Sequence, residues 1–174
     1  IIPPLFFFFF NPFTDFDMTD QQQPQQQALP SFNIEKIFIK DLSVEVPNAP
    51  AIFLERDQPQ IDMQLNTQSA AVDAANGIYQ TILTMTINAK IKDKAAFLVE
   101  LQQAGIFRIQ NLPPEAMEPA LSIGCPNILF PYAREAVSDA VLKAGFPPLV
   151  LQPVNFEVLY MQQQQAQQAA GQPN

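Results

Sequence analysis

The sequence predicts an α+β fold, a four-stranded antiparallel sheet with helices packed on one face. Three observations carry this. Between Phe32 and Ile109, apolar residues recur at every second position in several separate runs. Short polar or proline-bearing stretches separate the runs, as strand connections do. Beyond Pro114 the apolar spacing becomes helical, and strands followed by helices is the α+β order.

The first strand is expected over Phe32–Val46. Leu42, Val44 and Val46 share one face near its end, and Asp41, Ser43 and Glu45 share the other. Pro47 and Pro50 stop it and impose an extended loop. In the second strand Ile61, Met63 and Leu65 alternate with Asp62, Gln64 and Asn66; the small residues Val72–Gly77 end in Asn76-Gly77, a turn signal. The third strand is the longest, with Tyr79, Thr81, Leu83, Met85, Ile87, Ala89 and Ile91 on one face. A polar turn over Ile91–Lys94 leads to the fourth strand, Ala95–Ile109. There Phe97, Val99, Leu101 and Gln103 point one way, and Leu98, Glu100 and Gln102 the other. Local turns between all four predict a simple meander.

Two helical segments follow, Glu115–Ser122 and Asn127–Lys143. Ile128, Tyr132, Val137, Val141 and Leu142 are broadly at helical spacing in the second. Gly145 stands where a helix C-cap belongs. Phe146–Pro153 reads as extended, and Asn155 as the N-cap of a last helix running into a glutamine tract.

The ends differ from the middle. Ile1–Asp17 contains Phe6–Phe10, an apolar run far shorter than the roughly 20 residues of a membrane helix and flanked by prolines. It lacks the basic region and small-residue cleavage site of a signal peptide. Met18 begins a plausible soluble N-terminus. Ile1–Asp17 therefore reads either as a hydrophobic extension outside the native folded unit or as a tail that docks on a groove. Residues 18–30 are Gln- and Pro-rich and are expected to be disordered; the Gln-rich tail 162–174 is expected to be flexible, although its first turns could extend the last helix. The folded unit is expected at 31–161.

Composition excludes much. Charged residues are 15% of the 174, the net charge is −8, and 22 glutamines supply polarity. An acidic chain of this kind lacks the basic footprint that nucleic acid or an anionic membrane requires. With no His and one Cys there is no His-dependent triad, no disulfide within the chain and no zinc cluster. Cys125 has no base beside it in sequence, so it reads as an inert buried thiol suited to a reducing cytosol. With 5 Gly and no phosphate loop, the composition is that of a binding protein without metal or cofactor. If helices cover one sheet face, the other carries Asp41, Glu45, Leu98 and Glu100. That face is either ordinary solvated surface or a docking surface with acids to steer a basic partner and Leu98 as an anchor.

The string Cys125-Pro-Asn-Ile-Leu-Phe-Pro-Tyr-Ala-Arg-Glu135 resembles the signature of the SecB protein-export chaperones. Val46-Pro-Asn-Ala-Pro50, Gln102–Phe107 and Pro153-Val-Asn-Phe156 agree with the same family in the same order. The likeness spans Phe32 to Met161. It implies a cytoplasmic homotetramer, a dimer of dimers, that holds unfolded precursor proteins without ATP or any cofactor and delivers them to the motor SecA. The resemblance assigns Asp41, Glu45, Leu98 and Glu100 to SecA binding and Val99, Leu101 and Gln103 to subunit association. It places Ile61, Met63, Leu65, Leu159 and Tyr160 in a client groove, although plain core remains the other reading of those five. Two departures stand out. Gln58 occupies a place where the family often has Trp, and the tail 162–174 carries no charge with which to contact SecA. Two rivals remain: a SecB-like chaperone serving a toxin–antitoxin pair, and a small enzyme using Cys125.

Overall fold

The computed structural model describes residues 29–170. The readings of 1–17 and of most of 18–30 therefore lie outside the described residues. Four strands form one antiparallel sheet: β1 Ser31–Glu45, β2 Gln60–Asp73, β3 Ile78–Ile91 and β4 Lys94–Gln110. The order across the sheet is β1-β4-β3-β2. The meander expectation thus holds for β2, β3 and β4 but not for β1, which lies beside β4. The reason is the connection that follows β1. Residues 46–59 carry Pro47, Pro50 and Pro59 and a 3-10 turn at Ala51–Leu54, so they span the sheet instead of folding into a hairpin. Lys92 and Lys94, at the β3–β4 turn, each donate to Glu55 at 3.0 Å, and Asn48 Nδ2 donates to the Ala95 carbonyl at 2.9 Å. These contacts fasten the crossover to the turn it passes.

β2 also runs further than its apolar alternation, through the small residues to Asp73. The turn expected at Asn76-Gly77 is present: Gly77 has φ +67°, and Asp73 accepts from the Asn76 backbone and side chain.

Alternation assigns the faces correctly. Thr81, Leu83, Met85, Ile87, Ala89 and Ile91 of β3 are buried, as are Phe97, Val99, Leu101, Phe107 and Ile109 of β4. On them lies the helix layer: α1 Pro114–Pro119, a π turn Ala120–Gly124, and α2 Cys125–Lys143. The two expected helical segments are one continuous run. Pro119, Pro126 and Pro131 all lie inside it, and the π turn falls between the first two, just before Pro126, which has no N–H to give. The α2 stripe facing the sheet is Cys125, Leu129, Ala133, Val137 and Val141, flanked by Phe130, Ala136 and Ala140. Tyr132 and Leu142, read from spacing as part of that stripe, point outward and are 52% and 55% exposed. α2 sits close because residue 105 is glycine. A Cβ there would lie 2.7 Å from the Phe107 ring and 2.9 Å from Leu129 Cδ2.

Gly145, with φ +93°, ends α2 as expected. α3, Phe156–Ala170, starts where Asn155 Oδ1 accepts from the Val158 N–H at 3.1 Å. It continues over Gln162–Ala170, so most of the expected tail is helical in this structure. Glutamine is a good helix former, and these residues need no core to sit on.

Candidate functional site

Two surfaces stand out, one on each side of the sheet. On the side away from the helices, strand register places the residues in rows. Glu45 pairs with Leu98, Leu98 with Asn88, and Asn88 with Asp62. The next rows are Ser43–Glu100–Thr86–Gln64 and Asp41–Gln102–Thr84–Asn66. Asp41, Glu45, Leu98 and Glu100 therefore share one face and one corner of it, as alternation requires. A bulge at Lys40 secures this: Ile37 and Ile39 pair with Gly105 and Gln103 on the helix side, and the extra residue turns Asp41 outward. Asp41, Glu45 and Glu100 are exposed and enter no ion pair among the described residues. Asp62 is a fourth exposed acid on the same face, at the far end of the Glu45 row. Sequence reading left it out because nothing local shows that β2 lies two strands from β4.

On the helix side, a trough follows β2. At one end a cavity of about 580 Å³ is lined by Ile52, Phe53, Ile61, Phe97, Phe146 and Leu149 among others. Phe146 stacks at a tilt on Phe53 and on Phe97, with centroids 5.2 and 4.9 Å apart. Gln58 is on its wall. Further along, a cavity of about 510 Å³ lies between β2 and α3; Leu65, Phe156, Leu159 and Tyr160 give it an apolar part, but most of its wall is polar, from Asn66, Thr67, Glu118, Ser122 and glutamines 162–164. Met63, half-buried between the two, packs on the core. Of the five proposed groove residues, the structure thus brings Leu65, Leu159 and Tyr160 together and places Ile61 in a separate cavity. Burial and the neighbouring Glu118 carboxylate raise the Tyr160 phenol above its ordinary value, so it remains a neutral hydroxyl. Phe53 and Phe146 were missed because both sit in Pro-bounded segments with no periodicity.

Val99 and Leu101 are 0% exposed and Gln103 is 2% exposed within the single chain. They lie in the subunit's own core under α2, and Gln103 Nε2 donates to the Phe38 carbonyl at 2.9 Å. Val99 and Leu101 thus pack beneath α2 within their own chain. Cys125 is also fully buried; burial pushes its thiol up to about 11, the reverse of what a nucleophile needs. Among the described residues, no group of Cys, Asp and Glu is placed to hold a metal, and no helix is long and apolar enough to cross a membrane.

A sheet with an acidic patch on its open face and, on the other side, an aromatic cavity and a more polar one along β2 presents, among the described residues, surfaces for binding rather than a cluster of reactive groups. The chain belongs to the SecB family: the family model for preprotein translocase subunit SecB matches residues 25–167. It is 62% identical over 146 residues to the protein-export protein SecB of Dechloromonas aromatica, covering 84% of this chain and 95% of that protein. It is 58% identical over 151 residues to the SecB of Thiobacillus denitrificans, covering 87% and 94%. Among solved structures, a SecB-like chaperone of Mycobacterium tuberculosis in complex with an antitoxin peptide superposes with a TM-score of 0.60. It is 19% identical and covers 71% of this chain and 90% of that one, a likeness of fold.

Proposed function

We propose that this SecB-family export chaperone holds unfolded precursor proteins in the cytoplasm without ATP and passes them to SecA. The observation that carries the reading is the separation of its two surfaces by the thickness of the sheet. Clients occupy the trough along β2, with Ile61 contributing to the aromatic end, Leu65, Leu159 and Tyr160 to the more polar α3 end, and Met63 bridging them. Flexible and aromatic walls accept many sequences, and contacts repeated along one long client add through effective concentration. SecA docks on the opposite face through Asp41, Glu45, Leu98 and Glu100. The acids steer a basic partner and Leu98 anchors it.

Assembly is proposed as a homotetramer, a dimer of dimers. The outward apolar residues of α2, Tyr132 and Leu142, are exposed in the isolated chain and suit burial against another subunit. Val99, Leu101 and Gln103 act beneath, by holding α2 in place. The export reading is favoured over a toxin–antitoxin role by 62% identity to an export SecB against 19% to the antitoxin-bound chaperone.

The test is a urea-unfolded secretory precursor diluted into nucleotide-free buffer. With the full chain present its refolding is arrested, and SecA added afterwards forms a ternary complex. Refolding at the unassisted rate would reject the reading.

A further inference from the structure

Within the helix layer, Pro126 leaves the Leu121 carbonyl of the π turn without its backbone donor. In the π turn Ala120–Gly124 the Cys125 N–H donates to the Ala120 carbonyl, five residues back. The next bond in that series would run from residue 126 to the Leu121 carbonyl. Residue 126 is proline and has no N–H. The carbonyl is instead taken by the Ser69 hydroxyl of β2, at 3.4 Å. Ser69 Oγ also lies 2.8 Å from Thr81 Oγ1 of β3, whose side chain is fully buried. The carbonyl only accepts, so Ser69 gives it its single proton and Thr81 donates to Ser69. The direction of both bonds is thereby fixed.

The place of this link matters. β2 is an edge strand, paired on one side to β3 alone. The turn it holds forms a shared wall of two neighbouring cavities. Thr67, Glu118 and Ser122 line both the α3 cavity and a third of about 450 Å³, which also includes Ser69, Met117 and Leu121. Ala120, Leu121 and Ile123 seat the inner side of the turn on the core, whereas a Cβ on Gly124 would meet nothing within 4 Å, so the outer side is held by fewer contacts and the Ser69 link acts there.

We propose that Ser69 is a positioning residue for client selection: its hydroxyl latches the π turn to the edge of the sheet and so limits the size of side chain the end of the trough accepts. This rests on the trough being the client site. Unlatched, the turn moves away from β2, the two cavities merge, and bulkier groups enter.

The test uses the full chain, its Ser69→Ala and Ser69→Thr variants, and two synthetic peptides of equal length and net charge, one bearing Leu and one Trp at the same positions. Ser69→Ala is expected to raise hydrogen exchange at residues 120–125 and to shift relative affinity toward the Trp peptide, each by about threefold or more. Ser69→Thr, which keeps the hydroxyl, restores both. Pro126→Ala supplies the missing N–H, so Ser69→Ala in that background is expected to change exchange and selectivity much less. If the parent chain binds both peptides and Ser69→Ala leaves exchange and preference unchanged, the latch is overturned. If exchange rises but neither peptide protects the trough in the parent chain, the client-site reading fails, and the selective role fails with it.

Discussion

Glu45 stands directly opposite Leu98 across the β1–β4 ladder, with both side chains on the sheet face away from the helices. A carboxylate lies beside a half-buried leucine, with Glu100 and Asp41 in the next two rows, and the proposed function uses the acids to steer SecA and the leucine to anchor it. The sheet separates this patch from the trough along β2. Surface and groove are therefore open to independent mutation.

Reversing two of the acids, Asp41→Lys with Glu100→Lys, is expected to weaken SecA binding by about tenfold or more at low salt. The difference shrinks as salt screens the steering. Thermal stability and client affinity stay near the parent values. Calorimetric titration with SecA and with an unfolded client at two salt concentrations checks this; parallel loss of both affinities would mean the two surfaces are coupled.

Leu101 and Tyr132 are expected to separate stability from assembly. Leu101→Ala removes buried volume under α2 and lowers unfolding free energy by about 2–5 kcal/mol, measured by denaturant titration. Tyr132→Glu sits on the outward side and leaves the subunit folded while light scattering shows a smaller species. A full tetramer from Tyr132→Glu would place the association surface elsewhere.

Gly105→Ala is expected to cost about 1–3 kcal/mol, because its Cβ falls under 3 Å from Phe107 and Leu129 and α2 must lift to admit it. Unchanged thermal unfolding would show that α2 is less tightly seated than the structure has it.

Cys125 sets a pH dependence. Its folded value, about 11, lies above the ordinary 9.0, so the folded state keeps its proton where the unfolded chain has lost it. Stability from this group is intact below about pH 9 and falls as pH rises toward 11. Cys125→Ala removes that slope. At pH 8 the native thiol reacts with a thiol reagent at least about 100-fold more slowly than the unfolded chain does.

Much of this was legible because a half-buried strand writes its faces into every second residue. The alternation in Tyr79–Ile91 and Ala95–Ile109 places the core and the open face correctly, with Leu98 and Glu100 on the latter, and the alternation of residues 41–46, beyond the bulge at Lys40, adds Asp41 and Glu45. What failed depends on relations that no local window contains. β1 lies beside β4 because a proline-rich crossover carries the chain over the sheet. Tyr132 points outward because the buried stripe of α2 runs through Cys125, Leu129, Ala133, Val137 and Val141, one position away from it. The resemblance assigns Val99 and Leu101 to association, and alternation shows which face they are on but not that α2 covers that face within the chain. Phe53 and Phe146 meet only after residues 51–54 and 145–149 converge from opposite ends of the chain.

The central claim is that unfolded clients lie in the trough between β2 and the helix layer. Hydrogen exchange of the full chain, with and without a saturating, permanently unfolded polypeptide, tests it most directly. The account predicts added protection in the segments carrying Phe53, Ile61–Leu65, Phe146 and Leu159–Tyr160, with little change in β1 around Asp41–Glu45. Protection confined to β1 and the open face, with residues 61–65 and α3 unchanged, would contradict it.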